Sequence, residues 1–335
     1  MSGNLYIISG VTGMTGNELA RQITNTGHTV IGFDNFFASG LETVNDIINK
    51  DNFIFYEYDI NNEQHMKTIE NYVKENKIRF NKVIYINCAA VVHTEHFYHV
   101  ESTFQTNVTS MINFLKQAIN TGADQFINCS TSEIYSMQSF TEEGGVKESD
   151  FVLLATAEHS QRTSYAAGKL LTEFYLKDAV EKKRIQGCSI RFANVYSKNE
   201  KLSKHIIPHI ISSLYNTGRL ELLENSKVNR RTFLHNIDSC AAVLALSNTE
   251  NSLDGSVYNV ATDEEVTIIK LAEIIAEKLN LKLPEITFKD RRSADPERRV
   301  LNTDKIRRVT GWKPYISLSE GLDMCVEFIK NGNSQ

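Results

Sequence analysis

Tyr165 and Lys169 stand four residues apart in the run Tyr165-Ala166-Ala167-Gly168-Lys169, a spacing that puts both on one face of a helix. An ammonium beside a phenol favours the phenolate, so such a pair can furnish a base near neutral pH. The small residues between them let a second molecule approach the helix closely. A second run, Ser130-Thr131-Ser132-Glu133-Ile134-Tyr135, gathers hydroxyls and a carboxylate able to hold a polar substrate. The same residue types also make ordinary caps and turns. A third, Arg191-Phe192-Ala193-Asn194-Val195-Tyr196, carries polar side chains that could meet a diphosphate or tie down a loop. Cys88-Ala89-Ala90 offers small side chains where a ligand could lie close, and a tight strand-to-helix turn has the same needs.

These groups need a frame, and its clearest piece runs from residue 5 to residue 34. A short apolar strand (5–9) leads into Gly10, Gly13 and Gly16, each separated from the next by two residues. A helix-like run then ends at Gly27, and a second apolar segment stops at Asp34. Gly10 permits the tight turn, and Gly13 removes a side chain where a pyrophosphate must approach the backbone. The helix start places the backbone of Thr12, Met14 and Thr15 around that diphosphate, with free N–H groups aimed at it. Asp34, eighteen residues past Gly16, can accept both ribose hydroxyls of an adenosine. Its charge repels a 2′-phosphate, so NAD is expected rather than NADP.

Beyond Asp34 the pattern keeps alternating. Strands are expected at 52–58, 82–87, 125–129 and 187–191, with helices at 63–76, 103–120 and 162–183 between them. Strands separated by helix-length segments imply βαβ crossovers, hence an α/β fold of Rossmann type with a doubly wound parallel sheet. Ligands of such a sheet lie beyond the carboxyl ends of its strands, where all four reactive runs fall. After about residue 195 the rhythm loosens into helices at 206–216, 236–247, 268–279 and 318–330 with short strands at 220–222, 231–233 and 257–260. The expected division is a cofactor domain over 1–195 and a smaller α/β substrate lobe over 196–335, with some interleaving.

Composition narrows the function classes. A formal net charge of -5 argues against a nucleic-acid surface. No run approaches the ~20 apolar residues of a membrane span. The first strand begins almost at once, so no secretory leader is expected. Five scattered cysteines without a C-x-x-C pair suit free thiols in a reducing cytoplasm. His93, His96 and His99 fall three apart, which would spread them over about 120° of a helix, and no metal is expected. The basic run through Arg291-Arg292, Arg298-Arg299 and Arg307-Arg308 is interleaved with Glu285, Asp290, Asp295, Glu297 and Asp304, so a nucleotide diphosphate explains it better than RNA.

Taken in chain order, these pieces resemble the extended short-chain dehydrogenase/reductase family, in particular its nucleotide-sugar epimerases and dehydratases. The resemblance rests on Gly10/Gly13/Gly16, Asp34-Asn35-Phe36, Asp59-Ile60, the alanines after the fourth strand, Asn107, Ser-Thr-Ser-Glu, Tyr-x-x-x-Lys and Arg-x-x-Asn-Val-Tyr. It continues through Arg231-Thr-Phe-Leu-His-Asn-Ile-Asp238, Arg292-Ser-Ala-Asp295, Asp304-Lys305 and Gly311-Trp312-Lys313-Pro314. It implies that Asp59 and Ile60 bracket the adenine, and that Asn35, Cys88, Ala89, Ala90 and Asn107 line the NAD site. It implies that Tyr165 takes the O4 proton of a sugar as the C4 hydride leaves. Lys169 would hold the nicotinamide ribose and keep the Tyr165 pKa low. Thr131 would hydrogen-bond O4, with Ser132 and Glu133 completing the catalytic set. Asn194, Arg231 and Arg292 would grip the diphosphate and nucleoside. A homodimer packed through the helices near 103–120 and 163–183 is expected on the same basis.

A ketone at C4 acidifies the C5 proton. Loss of water, loss of a C6 carboxylate, or inversion at C4 can then follow. Glu133 supplies a base that the first two use, so a 4,6-dehydratase is expected, with uronate decarboxylase and C4-epimerase as alternatives. A non-catalytic NAD sensor would tend to lose Tyr165 or Lys169, and both are present. Three features depart from the family pattern: Ser136 where glycine is usual, a long segment over 136–164, and Asn35-Phe36-Phe37, which is more like the decarboxylases.

Overall fold

Residues Leu5–Ser9 form strand β1 and are buried along their whole length, as in a strand covered on both faces. The structure is a computed structural model that describes residues 3–92, 98–135, 144–161, 163–198, 200, 205–291 and 295–332. Strands β2 (Thr29–Asp34), β3 (Phe53–Glu57), β4 (Val83–Asn87), β5 (Gln125–Thr131) and β6 (Gln186–Phe192) alternate with helices α1 (Met14–Asn25), α2 (Glu63–Asn76), α3 (Val100–Phe104), α4 (Met111–Thr121) and α5 (Thr163–Glu181). Then come β7 (Val195–Tyr196), α6 (Ile206–Thr217), β8 (Leu220–Leu223), β9 (Arg230–Thr232), β10 (Leu234–His235), α7 (Asn236–Ser247) and β11 (Asp254–Val260). The chain finishes with β12 (Glu265–Thr267), α8 (Ile268–Lys278), β13 (Ile286–Lys289), β14 (Arg298–Arg299), α9 (Asp304–Thr310) and α10 (Leu318–Gly332).

Seven strands form one parallel sheet in the order β3-β2-β1-β4-β5-β6-β11. The order reverses between β1 and β4, which opens a ligand crevice at their carboxyl ends. Side-chain alternation divides the core. Tyr6 and Ile8 pack with Leu19, Ile23, Val243 and Leu246 of α1 and α7. Leu5 and Ile7 pack on the other face with Ile69, Phe114 and Leu176 of α2, α4 and α5. A separate cluster, built on Ile210, Leu214, Leu271, Ile275, Leu322 and Val326, holds α6, α8 and α10 together. The late strand β11 returns to the main sheet beside β6.

The helix expected over 103–120 is instead α3, a π-helical stretch over Gln105–Ser110, and α4. The wider turn sets Asn107 opposite Val91, whose N–H it accepts at 2.7 Å and whose carbonyl it bonds at 3.0 Å. Such insertions gather at functional sites. The strand expected at 231–233 is β9, paired with β12 and β14 in a small sheet. Segments of two or three residues carry no periodicity, so β12 and β14 left no trace in the sequence pattern.

Candidate active site

The glycine turn closes the β1 end of the crevice. Gly10 has φ +69°, and a Cβ there would lie 2.8 Å from the backbone N and Cα of Ala89, so the turns after β1 and β4 touch where the strand order reverses. A Cβ at Gly16 would overlap the Gly10 carbonyl. Helix α1 starts at Met14 with Gly13 as its cap residue, which has no side chain to bond the first N–H groups. That leaves the amides of the first turn, Met14, Thr15 and Gly16, as an anion site. Asp34, at the tip of β2, accepts the Thr12 N–H at 3.1 Å and the Phe36 N–H at 2.9 Å, which fixes its carboxylate beside the turn.

Further along the same edge, Asn35 donates to Asp59 at 3.1 Å, and Asp59 also accepts from the Asn61 backbone at 2.7 Å. Ile60 is buried next to them. Cys88, Ala89 and Ala90 follow β4, and Ser9 ties the first two back through Cys88 N–H to its carbonyl and Ala89 N–H to its hydroxyl, each at 3.2 Å. The Cys88 and Cys129 sulfurs lie 3.7 Å apart. An uncapped helix start, a close-packed glycine turn and a fixed acid at the ribose position together fit a dinucleotide such as NAD.

Tyr165 lies in the first turn of α5, with Lys169 one turn further on, and both are buried. The Thr131 hydroxyl at the tip of β5 hydrogen-bonds the Tyr165 side chain. Burial and then the Glu133 charge push the Tyr165 phenol well above its ordinary range, with Thr131 opposing them. The expectation that Lys169 lowers that pKa is not met in this structure. The Lys169 ammonium donates to the Cys129 carbonyl at 2.9 Å, because the edge of β5 presents a backbone acceptor to that turn of the helix. Burial itself draws the Lys169 pKa down, while the neighbouring Cys129, Cys88 and Glu173 pull it up.

Ser132 and Glu133 open a short 3₁₀ turn over Ser132–Tyr135, and the Glu133 N–H donates to Thr131 Oγ1 at 3.1 Å. The Glu133 carboxylate is paired with Arg299 of β14 at 2.5 Å. Arg299 is 3% exposed, and its Nε has no partner among the described residues. Arg231 of β9 sits alongside, bonded to Asp295 at 2.8 Å and to the Glu297 carbonyl at 3.2 Å. Burial and the Arg299 charge draw the Arg231 pKa down to about 10 against the pull of Asp295. Asn229 donates to the other oxygen of Asp295 at 2.8 Å. Asn194, at φ +34°, donates to the Thr232 carbonyl at 3.0 Å and so ties the loop after β6 to β9.

The structure thus brings Thr131, Ser132, Glu133, Tyr165 and Lys169 to one edge of the sheet, with the glycine turn, Asp34 and Cys88-Ala89-Ala90 along it. Arg231 comes to the same region from β9 of the small sheet. Arg292, His93 and His96 lie outside the described residues, as do residues 136–143 and 162 of the long segment. Among the described residues no cluster of His, Cys, Asp or Glu has metal-site geometry. Arg299 was missed by sequence reasoning. It sits in a mixed-charge run where nothing local separates it from Arg298, whose side chain pairs with Glu265 instead.

The sequence model of the NAD dependent epimerase/dehydratase family matches residues 6–261, and the chain belongs to that family. Its cofactor is NAD. UDP-glucuronic acid decarboxylase 1 of Arabidopsis thaliana is 25% identical over 97% of this chain and 69% of its own length. The dTDP-4-dehydro-6-deoxyglucose reductase of Escherichia coli is 22% identical, over 98% of each chain. Among solved structures, UDP-glucose 4-epimerase from Thermotoga maritima with UDP-glucose superposes with a TM-score of 0.85 at 21% identity, covering 98% of this chain and 99% of the other. The dTDP-glucose 4,6-dehydratase of Streptomyces venezuelae, with NAD bound, gives 0.84 at 19% identity over 98% of each chain. The last two likenesses define the fold rather than the reaction.

Proposed function

We propose that the chain oxidises C4 of a nucleotide-diphosphate hexose and carries the 4-ketone on to elimination across C5 and C6, as a 4,6-dehydratase. NAD would supply the hydride acceptor at C4 and, once water is lost, the hydride that goes to C6 as C5 takes up a proton. Thr131 orients the O4 hydroxyl, and Tyr165 takes its proton. Lys169 holds the adjoining ribose and the backbone of β5. Glu133 removes the C5 proton once the ketone exists, and hydroxide leaves C6 with a proton. The first turn of α1 and the Asp34 carboxylate hold the cofactor, and Asn194, Arg231 and Arg292 hold the diphosphate and nucleoside. Support comes chiefly from one observation: buried Thr131, Tyr165 and Lys169 gather at the tip of β5, where the Glu133 N–H donates to Thr131 Oγ1 at 3.1 Å and Lys169 donates to the Cys129 carbonyl at 2.9 Å.

One feature favours a second reading. The buried Arg299, whose Nε has no partner among the described residues and which has a second guanidinium beside it, suits a carboxylate at C6, and a uronate would then lose carbon dioxide rather than water. The decisive experiment is a mass spectrum of products from mixed nucleotide sugars and nucleotide uronates with NAD. Loss of water supports the dehydratase and loss of carbon dioxide the decarboxylase. An isomer of unchanged mass points to the epimerase, and untouched substrates leave only the sensor.

Half-exposed Val100 and Phe104 on α3, with Leu171, Phe174 and Tyr175 on α5, support a homodimer through these helices, to be checked by sedimentation. No described helix is long and apolar enough to cross a membrane. The five free cysteines fit a reducing cytoplasm, which is part of the proposal.

A further inference from the structure

Glu173 lies one turn beyond Lys169 on α5 and is buried, as is Arg191 of β6, with which it forms a two-pronged ion pair. Arg191 Nε donates to one carboxylate oxygen at 3.0 Å and Nη2 to the other at 2.7 Å. Among the described residues each partner makes one further hydrogen bond, and the two fall on either side of the catalytic turn. The Ser130 hydroxyl donates to Glu173 at 2.6 Å, immediately before Thr131. Arg191 Nη1 donates to the Tyr135 hydroxyl at 2.6 Å, two residues past Glu133.

The chain of bonds continues. Tyr135 donates to Asn259 Oδ1 of β11 at 3.0 Å, and Asn259 Nδ2 donates to the Val146 carbonyl at 2.9 Å and the Asn302 carbonyl at 3.2 Å. Val146 in turn bridges Leu301, two residues past Arg299. Burial, set against the Arg191 charge, pushes the Tyr135 phenol to about 12, so it remains a donor at neutral pH. A buried ion pair is a poor source of net stability, because desolvation offsets most of its attraction. Fully satisfied and directional, it is a good means of fixing geometry.

We propose that Glu173, Arg191 and Tyr135 are positioning residues. Through Ser130 and Tyr135 the ion pair clamps the Thr131–Glu133 turn at both ends against the helix that carries Tyr165, and through Asn259 it sets Arg299 against Glu133. The clamp rests on the functional reading above for its catalytic consequence, though not for its geometry. It makes two distinct demands. Releasing the Tyr135 end frees Glu133 and disturbs the C5 step. Releasing the Ser130 end frees Thr131 and disturbs C4 oxidation.

The test uses the full chain with NAD and the nucleotide sugar that wild type turns over, comparing Tyr135→Phe with Ser130→Ala. In Tyr135→Phe, solvent deuterium uptake at C5 should fall about tenfold or more relative to NADH appearance, with KM unchanged. In Ser130→Ala the imbalance should reverse, C4 oxidation slowing more than C5 exchange. A crystal of Tyr135→Phe should have Glu133 out of contact with Arg299. Asn259→Ser cuts the same chain one bond further on and is read identically where Tyr135→Phe does not fold. A wild-type ratio of the two steps in both variants, or an intact Glu133–Arg299 contact in the crystal, overturns the proposal. Because the crystal needs no turnover, a wild-type chain inert towards every nucleotide sugar would sink the functional reading while leaving the clamp decided.

Discussion

The guanidinium of Arg299 lies 2.5 Å from the carboxylate of Glu133, across 166 residues of chain. The contact joins β14, in the small three-stranded sheet, to the turn that follows β5 of the main sheet. It is therefore a strut between the two halves of the site as well as a local neutralisation of charge.

Replacing Arg299 by Gln removes a buried cation and takes from Glu133 its ion pair with that guanidinium. Stability should fall by about 1–3 kcal/mol, since a partly buried carboxylate that loses its ion pair keeps much of its desolvation cost. Urea denaturation measures this directly, and an unchanged midpoint would mean that the contact contributes nothing in solution.

Tyr165→Phe should reduce turnover by roughly 10²–10⁴-fold, the usual contribution of a positioned base, while the melting temperature stays near wild type. A base must be deprotonated to act, and burial first and Glu133 second hold this phenol protonated. The rate of C4 oxidation should accordingly climb with pH from neutral into the alkaline range. Glu133→Gln removes one of the two upward influences, so in that variant the climb should begin at lower pH. A profile that is flat from pH 7 to 9 in wild type would argue that another group takes the proton.

Gly16→Ala places a methyl into the Gly10 carbonyl and 2.7 Å from the Val11 Cα, both backbone atoms that cannot step aside. The glycine turn must open to admit it. NAD affinity, followed by calorimetric titration, should drop at least tenfold, by about 1.4 kcal/mol or more. Wild-type affinity would show that the turn is not where the diphosphate sits.

His235 caps α7 through Nδ1, and its Nε2 has no partner among the described residues. Burial and the charge of Lys198 lower its pKa from 6.5 to about 4. Between those values the unfolded chain binds a proton that the folded chain does not, so this contribution to stability is present above pH 6.5 and is lost as pH falls towards 4. His235→Asn keeps a capping side chain without the titration. Melting curves at pH 7 and pH 5 should therefore differ less in the variant than in wild type.

The cofactor half of the site was legible in the chain because its parts are contiguous. Strand, glycine turn, helix and Asp34 occupy thirty residues, and each is dictated by backbone geometry that few residue types satisfy. The same holds for Tyr165 and Lys169, one helical turn apart, and for Thr131 to Glu133 at a strand end. That the sheet is parallel followed from the alternation of apolar runs with helices; the strand order, and the place of β11 beside β6, did not. What the pattern could not carry was anything set by contact between distant segments. The π-helical turn at Asn107 depends on Val91 across the crevice. Lys169 reaches for a strand carbonyl rather than its helical neighbour. Arg299 faces Glu133, whereas Arg298 does not, only because β14 pairs with β9 in one register. Local spacing settles which groups a segment can present, since it is fixed by bond geometry. Which charge each group then meets, and so its pKa and its task, depends on burial and on partners that only the folded chain supplies.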